Sequence, residues 1–301
     1  MLLNGFVRGV SFMSKIAIVT DSNSGLSQAE AKEMGVFLLP MPFEIDGKNY
    51  LDGINLERSM FYEFQENGAE IFTSQPAPQD VMDLWNKILE EYDEIVHIPM
   101  SSGLSSSLQT AKMLADDYDG KVYAVDNQRI SVTMIDSIVD AKFMISQGLS
   151  AKEIGERLES EGLNSSIYIT LDTLKYLKKG GRITPAAAAI GTILKIKPVL
   201  QIQGEKLDAF AKVRTISAAK SMMINAVKSD IAGHVGENGK YKYVINIAHT
   251  NNLEAAEEFE REVRTEIPDY TGEIRIMELS LSVSCHIGPG SLALAISRIV
   301  E

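Results

Sequence analysis

The chain holds a single cysteine, Cys285, so an internal disulfide framework is excluded and a reducing compartment suits it. Its four histidines, His97, His234, His249 and His286, are scattered, and none stands at a zinc-type Cys/His spacing. Positive charge is in short supply: 29 Lys and Arg face 41 Asp and Glu, a net charge of −12. A surface of that sign repels phosphate backbones and anionic membranes, so nucleic acid is not an expected partner and membrane contact is at most transient. The most apolar stretch, Ala186 to Leu194, is far short of the ~20 residues a bilayer span needs. No G-x-S-x-G elbow and no Walker A pattern occur, which removes the commonest sequence marks of a serine hydrolase and of a nucleotide binder. A soluble, cytoplasmic, monomeric protein with no metal or cofactor is the expectation.

What remains is an ordinary globular balance, 45% hydrophobic and 23% charged over 301 residues, enough for two domains. Residues 1–13 are mildly apolar with one Arg. Met13-Ser14-Lys15 leading into IAIVT reads as a natural start, so these residues are expected to be an extension with no fold role. From Lys15 the pattern alternates. KIAIVT is a β-branched buried strand running into Asp21-Ser22-Asn23-Ser24-Gly25, and Ser27–Met34 is a helix closed by Gly35. Phe43-Glu44-Ile45 and Lys48-Asn49-Tyr50 flank Asp46-Gly47, a two-residue hairpin signal. Val81, Leu84, Trp85, Ile88 and Leu89 form a helical stripe, Glu94–Ile98 and Lys121–Val125 are strands, and Ser105–Asp116 and Val132–Gln147 are helices. Alternation of this kind predicts a three-layer domain, a parallel sheet covered on both faces, over 14–163.

The rest, 164–301, predicts a two-layer mixed-sheet α/β domain. Ile167–Leu171 is a strand, Thr173–Lys179 a short basic helix, and Pro185–Lys195 a small-residue helix with Pro in its first turn. Pro198–Gln203 and Lys206–Lys212 make a hairpin about Gly204-Glu205. Helices over Ile216–Val227 and Glu254–Arg264 and strands over Tyr241–Ala248 and Glu273–Leu279 complete it.

Two loops carry possible binding chemistry. Ser101-Ser102-Gly103-Leu104-Ser105 follows a strand and opens a helix. Unpaired N–H groups, serine hydroxyls and a glycine that permits close approach there make a site for an anionic oxygen, or simply a capped loop with Ser105 as N-cap. Thr73-Ser74-Gln75-Pro76 precedes the next helix, and its hydroxyls either cap or bind. Both loops at the carboxyl edge of one parallel sheet converge on its ligand crevice. His286 sits before Gly288-Pro289-Gly290, held on a tight loop, either as a surface turn residue or as a donor to an anion. Cys285 and His286, read as strand neighbours, point to opposite faces, which argues against a Cys–His nucleophile. Arg182 follows Gly180-Gly181 at the end of a basic run and is expected to be exposed.

Ile18-Val19-Thr20-Asp21-Ser22, Thr73-Ser74-Gln75-Pro76, Ser101-Ser102-Gly103-Leu104-Ser105, Gly180-Gly181-Arg182 and His286-x-Gly288-Pro289-Gly290 occur in an order that resembles the DegV family, across residues 14 to 301. The resemblance implies a parallel-sheet domain, a mixed α/β domain and a long-chain fatty acid buried between them, with no catalysis by the chain itself. FakB-type members of that family present the acid to a separate fatty acid kinase, which makes an acyl phosphate for phospholipid synthesis. Carried to this chain, the carboxylate contacts are Thr73, Ser74, Gly103, His286 and a serine of the Ser101-Ser102 pair, Ser102 being favoured as nearer Gly103. Arg182 faces the opening and the kinase. The competing reading is a serine hydrolase or thioesterase using Ser102 and His286, with Asp21 as the orienting carboxylate.

Overall fold

The computed structural model describes residues 14–177, 181–190, 196–204 and 206–300. Its first sheet is parallel, in the order β2-β1-β6-β7, from β1 (Ile16–Asp21), β2 (Phe37–Leu39), β6 (Glu94–Ile98) and β7 (Val122–Ala124). Alternate residues of β1 point to opposite faces, and both faces are apolar, as a sheet covered on two sides requires. Ile16 and Ile18 pack with Ile135, Ile138 and Ile154 of the helices Val132–Ser146 and Ala151–Ser160. Ala17 and Val19 pack with Val81 and Trp85 of Pro78–Ile88 and with Leu108 of Ser107–Ala115. Ser27 and Ser150 each close a capping box on the glutamate three residues on, Glu30 and Glu153, which fixes where two helices start.

A second, antiparallel sheet, β4-β3-β5, extends the expected Asp46-Gly47 hairpin by a strand that the sequence pattern did not reveal. It consists of β3 (Pro42–Ile45), β4 (Lys48–Leu51) and β5 (Ile71–Thr73). Asp46 and Gly47 both have positive φ, 48° and 74°, the two-residue turn that the Asp-Gly pair predicts. The helix Arg58–Glu66 lies between β4 and β5 and buries Phe61 and Tyr62 against Phe43 and Ile45.

The third sheet runs β10-β9-β8-β13-β11-β12, from β8 (Ser165–Thr170), β9 (Lys197–Ile202), β10 (Asp208–Val213), β11 (Tyr243–His249), β12 (Ile274–Glu278) and β13 (Leu292–Arg298). Only the β11–β12 pair is parallel. One face is covered by the helices Ile216–Ala232 and Leu253–Glu266 through Met223, Val227 and Phe259. The other, with Ile167, Ile169, Leu200 and Ala293, meets Met100, Leu104, Ile130 and Met134 from the first half of the chain. Beside this apolar seam, Asn246 donates to both Asp136 carboxylate oxygens at 3.0–3.1 Å, Arg275 donates to Oδ1 at 3.2 Å, and the Val300 N–H donates to Asp140 at 3.2 Å.

Two expected elements differ. Thr173–Leu177 forms a turn rather than the start of a helix, and Lys178 and Lys179 lie outside the described residues. Cys285 and His286 are not strand neighbours. They lie on the helix Leu281–Ile287, whose N-cap Ser280 accepts from the Val283 N–H. The apolar spacing there fits either period, and the following Gly-Pro-Gly masked the helix end. No helix among the described residues is long and apolar enough to cross a membrane.

Candidate functional site

The loop after β6 is built by its own serines. The Asp21 carboxylate, at the end of β1, accepts from the Met100 and Asn23 N–H groups, each at 3.0 Å, and fixes the start of the loop. Burial pushes this carboxyl up to about 6. Ser101 is fully buried: its N–H donates to Arg129 O at 2.9 Å, its carbonyl accepts from Leu104 and Ser105, and its hydroxyl accepts from Gly103 N and donates to Gly204 O at 2.5 Å. Ser101 therefore ties the loop to the turn between β9 and β10. Ser102, whose hydroxyl is drawn into no such network, faces open space. The N-cap of the following helix is Ser106, not Ser105, although Ser105 Oγ accepts from Ser107 N at 3.1 Å.

Thr73 ends β5, where it pairs with Phe43. Ser74 N–H donates to Pro42 O, and Gln75 donates to Thr110 Oγ1 at 3.1 Å, which binds the Thr73 loop to the serine-loop helix. Thr73 Oγ1 lies 3.5 Å from His286 Nε2. His286 is carried by the helix Leu281–Ile287, which the Gly-Pro-Gly turn ends. Thr250 clamps that turn: its hydroxyl donates to Gly288 O at 2.7 Å and accepts from Ser291 N at 2.9 Å. Gly288 needs to be glycine twice over, since φ is +77° and a Cβ there would lie 2.3 Å from the Tyr176 ring. Burial, then the positive charge of Arg182, lowers His286 to about 4, which favours the neutral imidazole.

Together these groups line one cavity of about 640 Å³, within the range of small-ligand pockets. Thr73, Ser74, Ser102, Gly103 and His286 contribute polar groups to its wall, as do Lys206, Ser282 and the exposed Arg182. Met100, Leu104, Ile130, Ile202, Leu207 and Ile287 make its apolar body. The fold brings every predicted site residue except Ser101 to the cavity wall, and Ser101 lies directly beneath. Sequence reasoning missed the apolar lining from β9 and the loop after it, and missed Lys206 and Ser282. The only signal for them was the Gly204-Glu205 hairpin, which says nothing of what it leans on. Ala187, on the helix that starts at Pro185, packs into the core seam. No hydrogen bond joins Ser102 to His286 among the described residues, and Asp21 is taken up by two backbone N–H groups.

Residues 15–298 match a family described as uncharacterised proteins of the DegV family. This chain belongs to the DegV family. A DegV domain-containing protein of Streptococcus pneumoniae is 30% identical over 93% of this chain and 98% of its own length. Among solved structures, a DegV family protein from Thermus thermophilus, described for its fatty acid binding, superposes with a TM-score of 0.83 at 26% identity, covering 95% of this chain and all of the other. A fatty acid binding DegV family protein from Streptococcus agalactiae gives a TM-score of 0.83 at 25% identity over 96% of this chain. The DegV match covers both the parallel and the mixed sheet, and hence every element that lines the cavity.

Proposed function

We propose that this chain binds one long-chain fatty acid, carboxylate inward, between its two halves, 14–163 and 164–301, and presents it to a separate kinase. The observation that supports the reading is the cavity itself, whose wall joins Met100, Leu104, Ile130, Ile202, Leu207 and Ile287 to the hydroxyls of Thr73, Ser74 and Ser102 and to His286. Burial of an acyl chain gains ~0.8 kcal/mol per CH₂, so about 16 carbons gain on the order of 12 kcal/mol before the costs of association. The carboxylate at the end of that chain must then find donors, because an unpaired buried charge is very costly. Thr73, Ser102 and the Gly103 region meet that need. His286, kept neutral by burial, takes a proton or donates the one it has. In this reading Ser101 shapes the loop and Ser102 makes the contact. The fatty acid binding described for the Thermus and Streptococcus agalactiae proteins supports the ligand class.

The kinase step is carried over from the resemblance to FakB-type members, with the exposed Arg182 on the cavity wall as the contact it would use. A carboxylate oxygen attacks the terminal phosphorus of a nucleoside triphosphate bound by the kinase. A C(O)O–P bond forms, the bridging P–O bond breaks, and the diphosphate leaves. The carrier supplies no base-activated nucleophile. A Ser102–His286 hydrolase is disfavoured, since His286 faces Thr73 and Asp21 is bound elsewhere.

The test is native mass spectrometry of the chain purified from a bacterial host, followed by identification of what denaturation releases. One fatty acid per chain is expected. An empty protein that also fails to take up added palmitate or oleate overturns the carrier reading and makes ester hydrolysis by Ser102 the next assay.

A further inference from the structure

Ser282 lines the cavity but is not one of the carboxylate contacts proposed above. Among the described residues it is the only polar member of the wall that is buried, at 5% exposure; the other buried members, Met100, Ile130 and Ile287 among them, are apolar. A hydroxyl set into such a wall is costly unless it is bonded, and this one is bonded from behind. Its O–H donates to Asn23 Oδ1, and Ser280 Oγ lies 3.1 Å away. Because the Ser282 proton goes to Asn23, the Ser280 hydroxyl is the donor of that second pair. Asn23 is fixed in turn: its N–H donates to Asp21 Oδ1 at 3.0 Å, and its carbonyl accepts from the Ser131 N–H at 3.0 Å. Its side chain acts on the Asp21 carboxylate as a donor does, lowering that group against the effect of burial. The amide nitrogen therefore faces Asp21, and the amide oxygen faces Ser282. What Ser282 has left for the cavity is a lone pair and no proton. The same turn holds two more lining residues, since Asp21 accepts from the Met100 N–H at 3.0 Å and Ser22 from the Met41 N–H at 3.1 Å.

Ser282 also stands at a set distance from the head-group histidine. It precedes His286 by four residues on the helix Leu281–Ile287, so the two share one face, about 6 Å apart along the axis. An extended alkyl chain covers that distance in about five carbon–carbon bonds. We propose that Ser282 is a second anchor point of the cavity, an acceptor that favours acyl chains carrying a hydroxyl near the sixth carbon. The proposal rests on the fatty-acid reading above and names the ligand class as hydroxy fatty acids. A ligand O–H donates to Ser282 and extends the run through Asn23 to Asp21. An oxo group at the same carbon sets lone pair against lone pair and stays unpaired.

The test compares palmitate with 6-hydroxypalmitate, 6-oxopalmitate and 12-hydroxypalmitate by displacement of a fluorescent fatty acid. The native chain is expected to bind 6-hydroxypalmitate about tenfold more tightly than 6-oxopalmitate, which brings no donor, and than 12-hydroxypalmitate, whose hydroxyl is carried past Ser282. Ser282→Ala is expected to abolish that advantage and to leave palmitate affinity as it was, while Ser282→Thr, which keeps the hydroxyl, retains it. Equal affinity of the native chain for 6-hydroxypalmitate and 6-oxopalmitate overturns the anchor. That comparison needs no variant, so it decides the matter even if Ser282→Ala, which leaves Asn23 Oδ1 without its donor, weakens the fold. An advantage that survives in Ser282→Ala also overturns the anchor, because another group is then the acceptor. Palmitate binding without discrimination among the oxygenated chains removes the anchor alone. A native chain that binds no palmitate removes the fatty-acid reading, and the anchor falls with it.

Discussion

Thr73 Oγ1 and His286 Nε2 stand 3.5 Å apart although 213 residues separate them in the chain. One comes from the end of a short strand in the antiparallel sheet and the other from the last described helix, so the pair exists only when both halves of the molecule have docked. If the pair holds a carboxylate, removing its hydroxyl has a defined cost. Thr73→Val keeps shape and volume but loses the donor. It is expected to weaken palmitate binding about tenfold, the low end for a hydrogen bond to a charged group, and Ser102→Ala should do the same. Displacement of a fluorescent fatty acid measures the affinities, and thermal melting checks that neither variant is unfolded. Unchanged affinity in both removes these residues from the head-group site.

Ser101 and Ser102 are adjacent but predict opposite phenotypes. Ser101 is buried and bonded on every side, including its 2.5 Å bond to Gly204 O. Ser101→Ala leaves that carbonyl and the Gly103 N–H without their partner and is expected to destabilise the fold by about 1–3 kcal/mol. Because the bond ties the loop to the β9–β10 turn, fatty acid should also leave faster, as a chase with unlabelled palmitate would record. A variant that melts like the native chain contradicts this role.

His286 provides a titration signal. Burial and Arg182 lower it to about 4. An opposite charge beside an imidazole favours its protonated form, so bound palmitate should raise this value. Nitrogen-15 spectra of the imidazole across the acid range, with and without ligand, give the direction. A value that falls or stays fixed on loading means that His286 does not face the carboxylate.

The acid side of the stability curve depends on a different histidine. His97 is buried on β6 against the Trp85 ring, and neither ring nitrogen has a hydrogen-bond partner among the described residues. Burial lowers it from 6.5 to about 3. The native state holds it neutral while the unfolded chain is protonated below 6.5. Its contribution is present above pH 6.5 and is lost as pH falls toward 3. Asp21 and Asp140, raised by burial to about 6 and about 7, work in the opposite sense: their contributions are full below 3.8 and fade as pH rises through those values. His97→Phe keeps the ring contact and removes the titration. Denaturant melts should then show the variant's stability relative to native rising as pH drops below 6.5, by up to about 1.4 kcal/mol per pH unit. Parallel curves for the two proteins refute this.

Much of this was legible because local rules and tertiary needs agreed. Continuous apolar strands such as Ile16–Asp21 announced a two-sided sheet, and Asp46-Gly47 a hairpin. The candidate head-group residues stood out because hydroxyls and glycines clustered at strand ends. What stayed hidden was relational. Ser101 and Ser102 are chemically identical, and only the position of Gly204, more than a hundred residues away, makes one structural and leaves the other open. The helix Leu281–Ile287 was hidden because Ser282, Ser284 and Cys285 give it no strong apolar stripe. Its burial is shared between the seam and the Phe61 cluster. The strand β5 was missed because Ile71–Thr73 is too short to register as a strand until Phe43 is placed beside it.

The position of β13 has a consequence for biosynthesis. Leu292–Arg298 emerges from the ribosome after every other strand, yet it lies in the middle of its sheet, pairing with β8 on one side and β11 on the other. Until those residues are translated, the nascent chain has two half-sheets with unsatisfied edges and no platform for the seam that walls the cavity. If the cavity holds a fatty acid, loading has to wait until β13 has joined the two half-sheets. A chain ended after Ser291 should yield a protein that cannot be rescued by adding palmitate, since the missing piece is the centre of the sheet and not its margin.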